Sequence, residues 1–319
     1  MANQAMGVYS KLLICKEEEF GKTPETLTDK VLCLPFNSIS LSASQNVSDP
    51  ATITGRRDSV EGIYGNISNE GDITVPSDSR AMGYWLSLAF GNPETTEVEG
   101  GKYKHVFKPK KEQPSAVIEK GFNNGVYLTS NGCKVSQIST SVGGDGELTA
   151  TFSFVGCKET TNAAPLSENP KEVAIRRYNN FQASLLIDGE AEQIATEVSV
   201  DIDFGIDTEG YAIGGQGYRS RANEGIIKPS GSVTVFFDNA DYLAKAQNST
   251  KTALEIKLEA NGNTLQIMLP EVKFALSSPS IDGATGITQQ MSYNAFYENN
   301  EQNACVVFVL TNDVESYDL

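Results

Sequence analysis

The sequence predicts a mainly β protein. It is expected to hold two tandem, duplicated β-sandwich or β-barrel domains, each with a flanking α-helix. Three observations predict this. Short runs alternate apolar and polar residues, Asn-Gly and Asp-Gly dipeptides fall between such runs, and one order of elements recurs in both halves.

In chain order, "SISLSAS" (38–44) sets Ile39 and Leu41 against Ser38, Ser40, Ser42 and Ser44. A strand in "GNISNEGDITVP" leads into "DSRAMGYWLSLAFG" (78–91), which reads as a helix. Asp78 or Ser79 can cap its start, Gly91 can end it, and Met82, Trp85, Leu86 and Ala89 share a stripe. "ELTATFSF" (147–154) puts Leu148, Ala150, Phe152 and Phe154 on one face. "EVSVDIDF" (197–204) does the same with Val198, Val200, Ile202 and Phe204, opposite Glu197, Ser199, Asp201 and Asp203. A second helix is expected in "DNADYLAKAQNS", capped by Asp238, with Ala240, Leu243 and Ala246 on one side. "LEIKLEANGNTLQIML" reads as a hairpin turning at Asn261-Gly262. Further turns are expected at Asn124-Gly125, Asn131-Gly132, Asp145-Gly146, Asp188-Gly189 and Asp282-Gly283.

The repeat appears on shifting the chain by 160 residues: Ile67 falls on Ile227, Gly71 on Gly231, Thr74 on Thr234, Val75 on Val235 and Asp78 on Asp238. Upstream, Ile39 meets Val198 and Leu41 meets Val200, one residue out of step. The domains then fall at 31–160 and 175–319, with an N-terminal arm over 1–30 and a polar linker over 161–174. The segments 45–62 and 205–225 lack a steady period and occupy matching places in the two copies. Long irregular loops in compact domains tend to be functional.

Composition narrows the function. The 319 residues carry 25 Lys+Arg against 41 Asp+Glu, a formal net charge of −16. So acidic a chain is not expected to grip a nucleic-acid backbone, which requires clustered cations. No apolar run approaches the ~20 residues of a spanning helix. The start lacks a basic stretch followed by a long apolar one, so synthesis in a cytoplasm with reduced thiols is expected. The five cysteines form no CxxC pair and read as small buried residues.

No catalytic pattern stands out: GxxxxGK[ST], GxGxxG after a strand, GxSxG and HExxH are all missing. The single His105 sits in "GGKYKHVFKPKKE" and is expected to be a solvated loop residue. "DIDFGIDTEG" spaces carboxylates somewhat like a calcium loop, but its glycine and terminal Glu are misplaced, and a strand running into a turn is the expectation. No cofactor and no metal are expected. Lys102, Lys104, Lys108, Lys110 and Lys111 are conspicuous in this acidic chain. They read either as a solvated loop or as an electrostatic contact with an acidic patch on another copy, for which Glu17–Glu19 and the 197–203 face are candidates.

The run "TGRRDSVEGIYGNISNEGDITVPSDSRAMGYWLSLAFG", with its GxIxxEG strand and capped helix, resembles the two-domain major tail tube proteins of long-tailed (siphovirus-type) bacteriophages. "GIIKPSGSVTVFFDNADYL" and "NTLQIMLPEVKF" extend the resemblance over roughly residues 30–310. It implies a structural virion protein without enzymatic activity, of tail-tube-type domains that pack into rings, the rings stacking into a hollow conduit for DNA ejection. Two domains per chain imply homotrimeric rings with pseudo-sixfold symmetry, with rings of six chains as the alternative. The implied partners are other copies, tail tip and tail terminator proteins, and DNA that passes through without specific binding; no membrane is involved. The strands at 38–44 and 197–203 would pair across copies in the lumenal sheet, making Glu197, Asp201 and Asp203 candidates for the bore. Arg56, Arg57 and the five lysines are candidates for contacts between subunits or rings. The rival readings are another self-assembling β tube or tail-end ring, an enzyme such as a glycoside hydrolase with an acidic pair in a cleft, and a carbohydrate-binding adhesive sandwich. The latter requires an aromatic platform, whereas Trp85, the one tryptophan, lies on a helical core stripe.

Overall fold

The computed structural model describes residues 4–27, 30–281 and 283–318. It is mainly β. The strands in the first half are β1 (Lys11–Lys16), β2 (Leu32–Cys33), β3 (Ser38–Ile39), β4 (Ser42–Ser48), β5 (Ile63–Pro76), β6 (Glu94–Val98), β7 (Lys102–Phe107), β8 (Ala116–Gly121), β9 (Tyr127–Gly143), β10 (Thr149–Gly156) and β11 (Lys158–Asn162). They continue as β12 (Lys171–Glu172), β13 (Ala183–Ile187), β14 (Glu190–Glu192), β15 (Ala195–Asp203), β16 (Lys228–Phe236), β17 (Thr252–Ala260), β18 (Asn263–Phe274), β19 (Thr288–Ala295) and β20 (Val307–Asn312). Helix α1 (Ala81–Phe90) follows β5, and α2 (Asp241–Gln247) follows β16.

Two long strands organise the layers. The first part of β9 pairs with β8 and β11 in one sheet, which β1 and β2 extend. Its later part pairs with β10 and β15 in another. β18 behaves alike, with β17 and β20 at its start and β19 at its end. Asn131-Gly132 is therefore no hairpin turn. Gly132, at φ 67°, lies inside β9 where the strand changes sheets, and a Cβ there would sit 2.7 Å from Cys157 Cβ. The Asn261-Gly262 hairpin and the Asp188-Gly189 turn form as expected, all four residues at positive φ. Asp282 of Asp282-Gly283 lies outside the described residues.

The pairings never return to their starting strand, so the sheets stay open; the sandwich form of the prediction holds and the barrel form does not. The alternating residues lie where expected: Leu148, Ala150, Phe152 and Phe154, and Val198, Val200, Ile202 and Phe204, are all buried in one core that spans both halves.

The two helices differ. Asp78 does cap α1: its Oδ1 accepts the backbone N–H of Arg80 at 2.7 Å and of Ala81 at 2.5 Å. Every residue of α1 is buried. Trp85, 0% exposed, stacks on Phe152 with centroids 5.4 Å apart, and Phe90 meets Phe204 at 5.3 Å. Asp238 does not cap α2. The Asp241 N–H is taken instead by Asn239 Oδ1 at 3.0 Å. The only buried residue of α2 is Tyr242, in place of the expected stripe.

Candidate functional site

The sheet β3/β4–β5–β10–β9–β15–β16–β19 has a core face and a polar face, because every second residue points away from the core. One in-register row of the polar face runs Ser38, Thr74, Thr151, Ser139, Asp201, Ser230 and Asn294, one residue per strand. A second runs Ser141, Ser199, Ser232 and Ser292. The hydroxyls bind one another and the carboxylates. Ser139 Oγ donates to Asp201 Oδ1 at 2.6 Å and Ser141 Oγ to Glu197 Oε1 at 2.8 Å. The Thr74 and Thr151 hydroxyls hydrogen-bond each other at 3.1 Å, as do those of Ser199 and Ser232 at 3.0 Å.

Glu197, Asp201 and Asp203 thus lie together on one face of β15, near the middle of this sheet. Asp203 is paired in register with Lys228, a cation the sequence reading passed over. The alternation in "KVSQISTSV" also went unused, although Gln137, Ser139 and Ser141 of β9 continue the same face. Among the described residues, no three His, Cys, Asp or Glu side chains converge to hold a metal ion.

The basic residues do not form one patch. Arg56 and Arg57 lie in an exposed turn, where Arg56 pairs with Asp58 at 2.6 Å. Lys102 and Lys104 belong to β7, a strand where a loop was expected. Lys102 Nζ donates to Gly262 O and Lys110 Nζ to Asn92 O, so both cations are held within the chain. Lys108 is half-buried, and Lys104 and Lys111 are exposed.

His105 is a correction: it is 0% exposed, not a solvated loop residue. Its ring lies 2.9 Å from Thr95 Oγ1 and 2.9 Å from Val314 O, edge-to-face with Tyr317. Burial lowers its pKa below the ordinary imidazole value. Of the acidic run at Glu17–Glu19, only Glu18 and Glu19 are exposed. Glu17 is buried and accepts bonds from Ser115 Oγ at 2.6 Å, Gly132 N at 2.7 Å and Gly21 N at 2.8 Å. Glu18 pairs with Lys30, and Glu19 with Lys22.

Arg219 was missed altogether. Its buried guanidinium donates to Thr208 O at 2.9 Å and Gly156 O at 2.6 Å and pairs with Glu70 at 2.5 Å. It pins the 204–227 connection over β5 and the β10–β11 corner. Nothing local in the sequence marks it, since its partners lie up to 149 positions away.

A broad polar sheet face suits a surface that other molecules meet. The family model of the phage tail tube protein matches residues 7–295. The chain belongs to that family. No curated protein matches it. As a phage tail tube protein it is a structural component of the virion, and its family is not one of enzymes. Among the described residues no helix is long and apolar enough to cross a membrane.

Proposed function

We propose that this tail tube protein polymerises into rings of three chains, and that the rings stack into the conduit through which viral DNA leaves a long-tailed phage. The observation that carries this is the β9–β15 pairing, where the sheet of the first half runs into that of the second with the polar face kept on one side. One chain is then already two consecutive segments of a wall.

The order of elements supports reading those segments as two copies of one module over 31–160 and 175–319. β1, β2, β4, β5, α1, β8, β9, β10 and β11 match β13, β14, β15, β16, α2, β17, β18, β19 and β20, with the β6–β7 hairpin as an insertion. Of the arm over 1–30, β1 pairs with β8 and so goes with the first module. In the linker over 161–174, β12 runs parallel to β2. Three chains supply six modules.

The polar face is the proposed bore surface, with Glu197, Asp201 and Asp203 as its acidic stripe beside the serines of β3 and β4. Fixed negative charge repels the phosphate backbone, and hydroxyls already bonded to one another offer it little. Arg56, Arg57, Lys104, Lys108 and Lys111 remain candidates for contacts between copies or rings, with Lys102 and Lys110 shaping their own loops. Tail tip and tail terminator proteins would meet the two ends of the tube, and no cofactor takes part. Assembly would proceed in the host cytoplasm.

Electron microscopy of concentrated protein tests the reading. Hollow tubes whose rings show six lobes from three chains are expected. Dispersed monomers at every salt concentration, and in infected-cell lysate, would refute it. Twelve lobes would replace three chains by six. Deleting 49–62 should stop polymerisation while the sandwich stays folded. Replacing Glu197, Asp201 and Asp203 with Lys should leave tubes intact and slow DNA ejection; unchanged ejection would remove these residues from the bore.

A further inference from the structure

Along the polar-faced sheet the chain makes one junction between its halves, β9–β15, and holds both sides of a second, unmade one; β7 and β20 also pair across the halves, outside that sheet face. At the made one, the β8 ladder stops at Ala116↔Cys133 and β15 takes its place along β9, pairing with residues 137–143. β18 has the same history: its ladder with β17 stops at Thr252↔Val272. Among the described residues no strand takes up that side of residues 273–279. Leu276 is 61% exposed there, while Ile138, its counterpart on β9, is 2% exposed.

The complementary edge is β4. Among the described residues it pairs with β5 only, and all seven of its residues are exposed. Its counterpart β15 has partners on both sides. The connection after β15 folds back over the first half: Gly217 O accepts Ile67 N at 2.8 Å, and Arg219 pairs with Glu70. The matching connection after β4, residues 49–62, is almost wholly exposed, with Ile53 bare. A two-stranded ribbon with no packed face is marginal alone in water. The open edge at 273–279 and the open edge of β4 are what the two sides of the β9–β15 junction would be if pulled apart.

Resting on the reading of the halves as two modules, we infer that a second copy of this chain lays β4 antiparallel along residues 275–278 and folds its 49–62 segment over the second half. The internal junction fixes the register. Two rows anchor the comparison: Leu41, Gly71, Phe154 and Val135 in the first half, and Val200, Gly231, Tyr293 and Phe274 in the second. One step on, Ser153 pairs with Gln137, and Ala275 N donates to Ser292 O at 2.8 Å. Asp203↔Gln137, Ile202↔Ile138 and Asp201↔Ser139 then translate into Ser44↔Ala275, Ala43↔Leu276 and Ser42↔Ser277 between copies. Leu276 enters the core side, as Ile138 does, and the serines stay on the polar side. The contact is heterologous, so repetition closes a ring when the rotation allows it.

Cysteine pairs in the full chain read this register. Phe204 N donates to Ser136 O, which leaves Asp203↔Gln137 between ladder bonds, where side chains approach most closely. Ser44→Cys with Ala275→Cys should therefore cross-link assembled protein under oxidised glutathione, giving two- and three-chain species on a non-reducing gel. Ser42→Cys with Ser277→Cys should do the same and serves if the first pair fails to assemble. The slipped pair Ser44→Cys with Leu276→Cys points to opposite faces and should give no more than the wild-type background. Mixing Ser44→Cys chains with Ala275→Cys chains should stop at two chains. Tubes that form while both in-register pairs cross-link no better than the slipped pair overturn the docking and leave the tube reading standing. Wild-type chains that form no oligomer overturn both.

Discussion

The Asp78 carboxylate is the point at which one short side chain holds three backbone N–H groups from two separate segments. It is 0% exposed. Its Oδ1 accepts Arg80 N and Ala81 N at the start of α1, and its Oδ2 accepts Arg176 N from the segment that joins the halves. Asp78→Ala deletes all three acceptors and leaves three N–H groups to find water in a closed site. A hydrogen bond to a charged group contributes about 1.5–3 kcal/mol net, and the three share one carboxylate, so they do not add fully. A loss of roughly 4 kcal/mol is expected, well above the ~1 kcal/mol of an exposed cap. Asp78→Asn keeps the oxygen facing α1 but presents an NH₂ to Arg176, and should lose about 2 kcal/mol. Urea unfolding of the dispersed chain, followed by fluorescence, reads this directly. Trp85 is the one tryptophan, and it lies in the helix that Asp78 caps. An alanine variant within 1 kcal/mol of wild type, or an asparagine variant as unstable as the alanine one, would refute the reasoning.

The single His105 makes a pH prediction clean. Its folded pKa is lowered by burial, so the unfolded chain binds the proton more readily, and the contribution to stability is complete above the unfolded value near 6.5 and is lost as pH falls through the folded one. Thermal unfolding between pH 5 and 8 should show His105→Gln lacking a slope of up to ~1.4 kcal/mol per pH unit that the wild type has; equal slopes would place the effect elsewhere. Arg219→Ala removes a buried guanidinium and strands the carbonyls of Gly156 and Thr208, at a cost of about 2–4 kcal/mol, since the Glu70 left behind is partly exposed and can meet water. Limited proteolysis should then cut within 205–222 before any other site, and an unchanged cleavage pattern would show that the loop is held by something else. Burial raises the Cys133 thiol well above its ordinary pKa, so it should react with maleimide only on unfolding, and labelling of the native chain at Cys133 would contradict this.

Much of the fold was legible because it depends on neighbours in the chain. Period-2 alternation decides which face of a strand is buried, and Phe152 and Val200 followed it without exception. Asn261-Gly262 turned because its positive φ angles are a local requirement. Asp78 capped α1 because its short carboxylate reaches the N–H groups two and three residues on. The acidic face of β15 could be read for the same reason, from Glu197, Asp201 and Asp203 at every second or fourth position.

Where polar residues stand alone, the sequence was a poor guide. His105, Glu17 and Arg219 carry the marks of surface residues, yet each is buried by partners distant in sequence: Val314 for His105, Ser115 and Gly132 for Glu17, Glu70 and Gly156 for Arg219. Burying such a group is tolerable only when its hydrogen bonds are met, and only the folded chain supplies those partners. The same holds for the helices. Local pattern made α1 and α2 look alike, but α1 is enclosed because the C-terminal segment brings Tyr317 against Gly83 and second-half strands bring Phe204 and Phe308 against Phe90. Sequence alone therefore determined the mainly β class, the alternating faces and the family resemblance. Tertiary structure decided which charges are free to meet another molecule, because that depends on which partners the fold has already placed beside them.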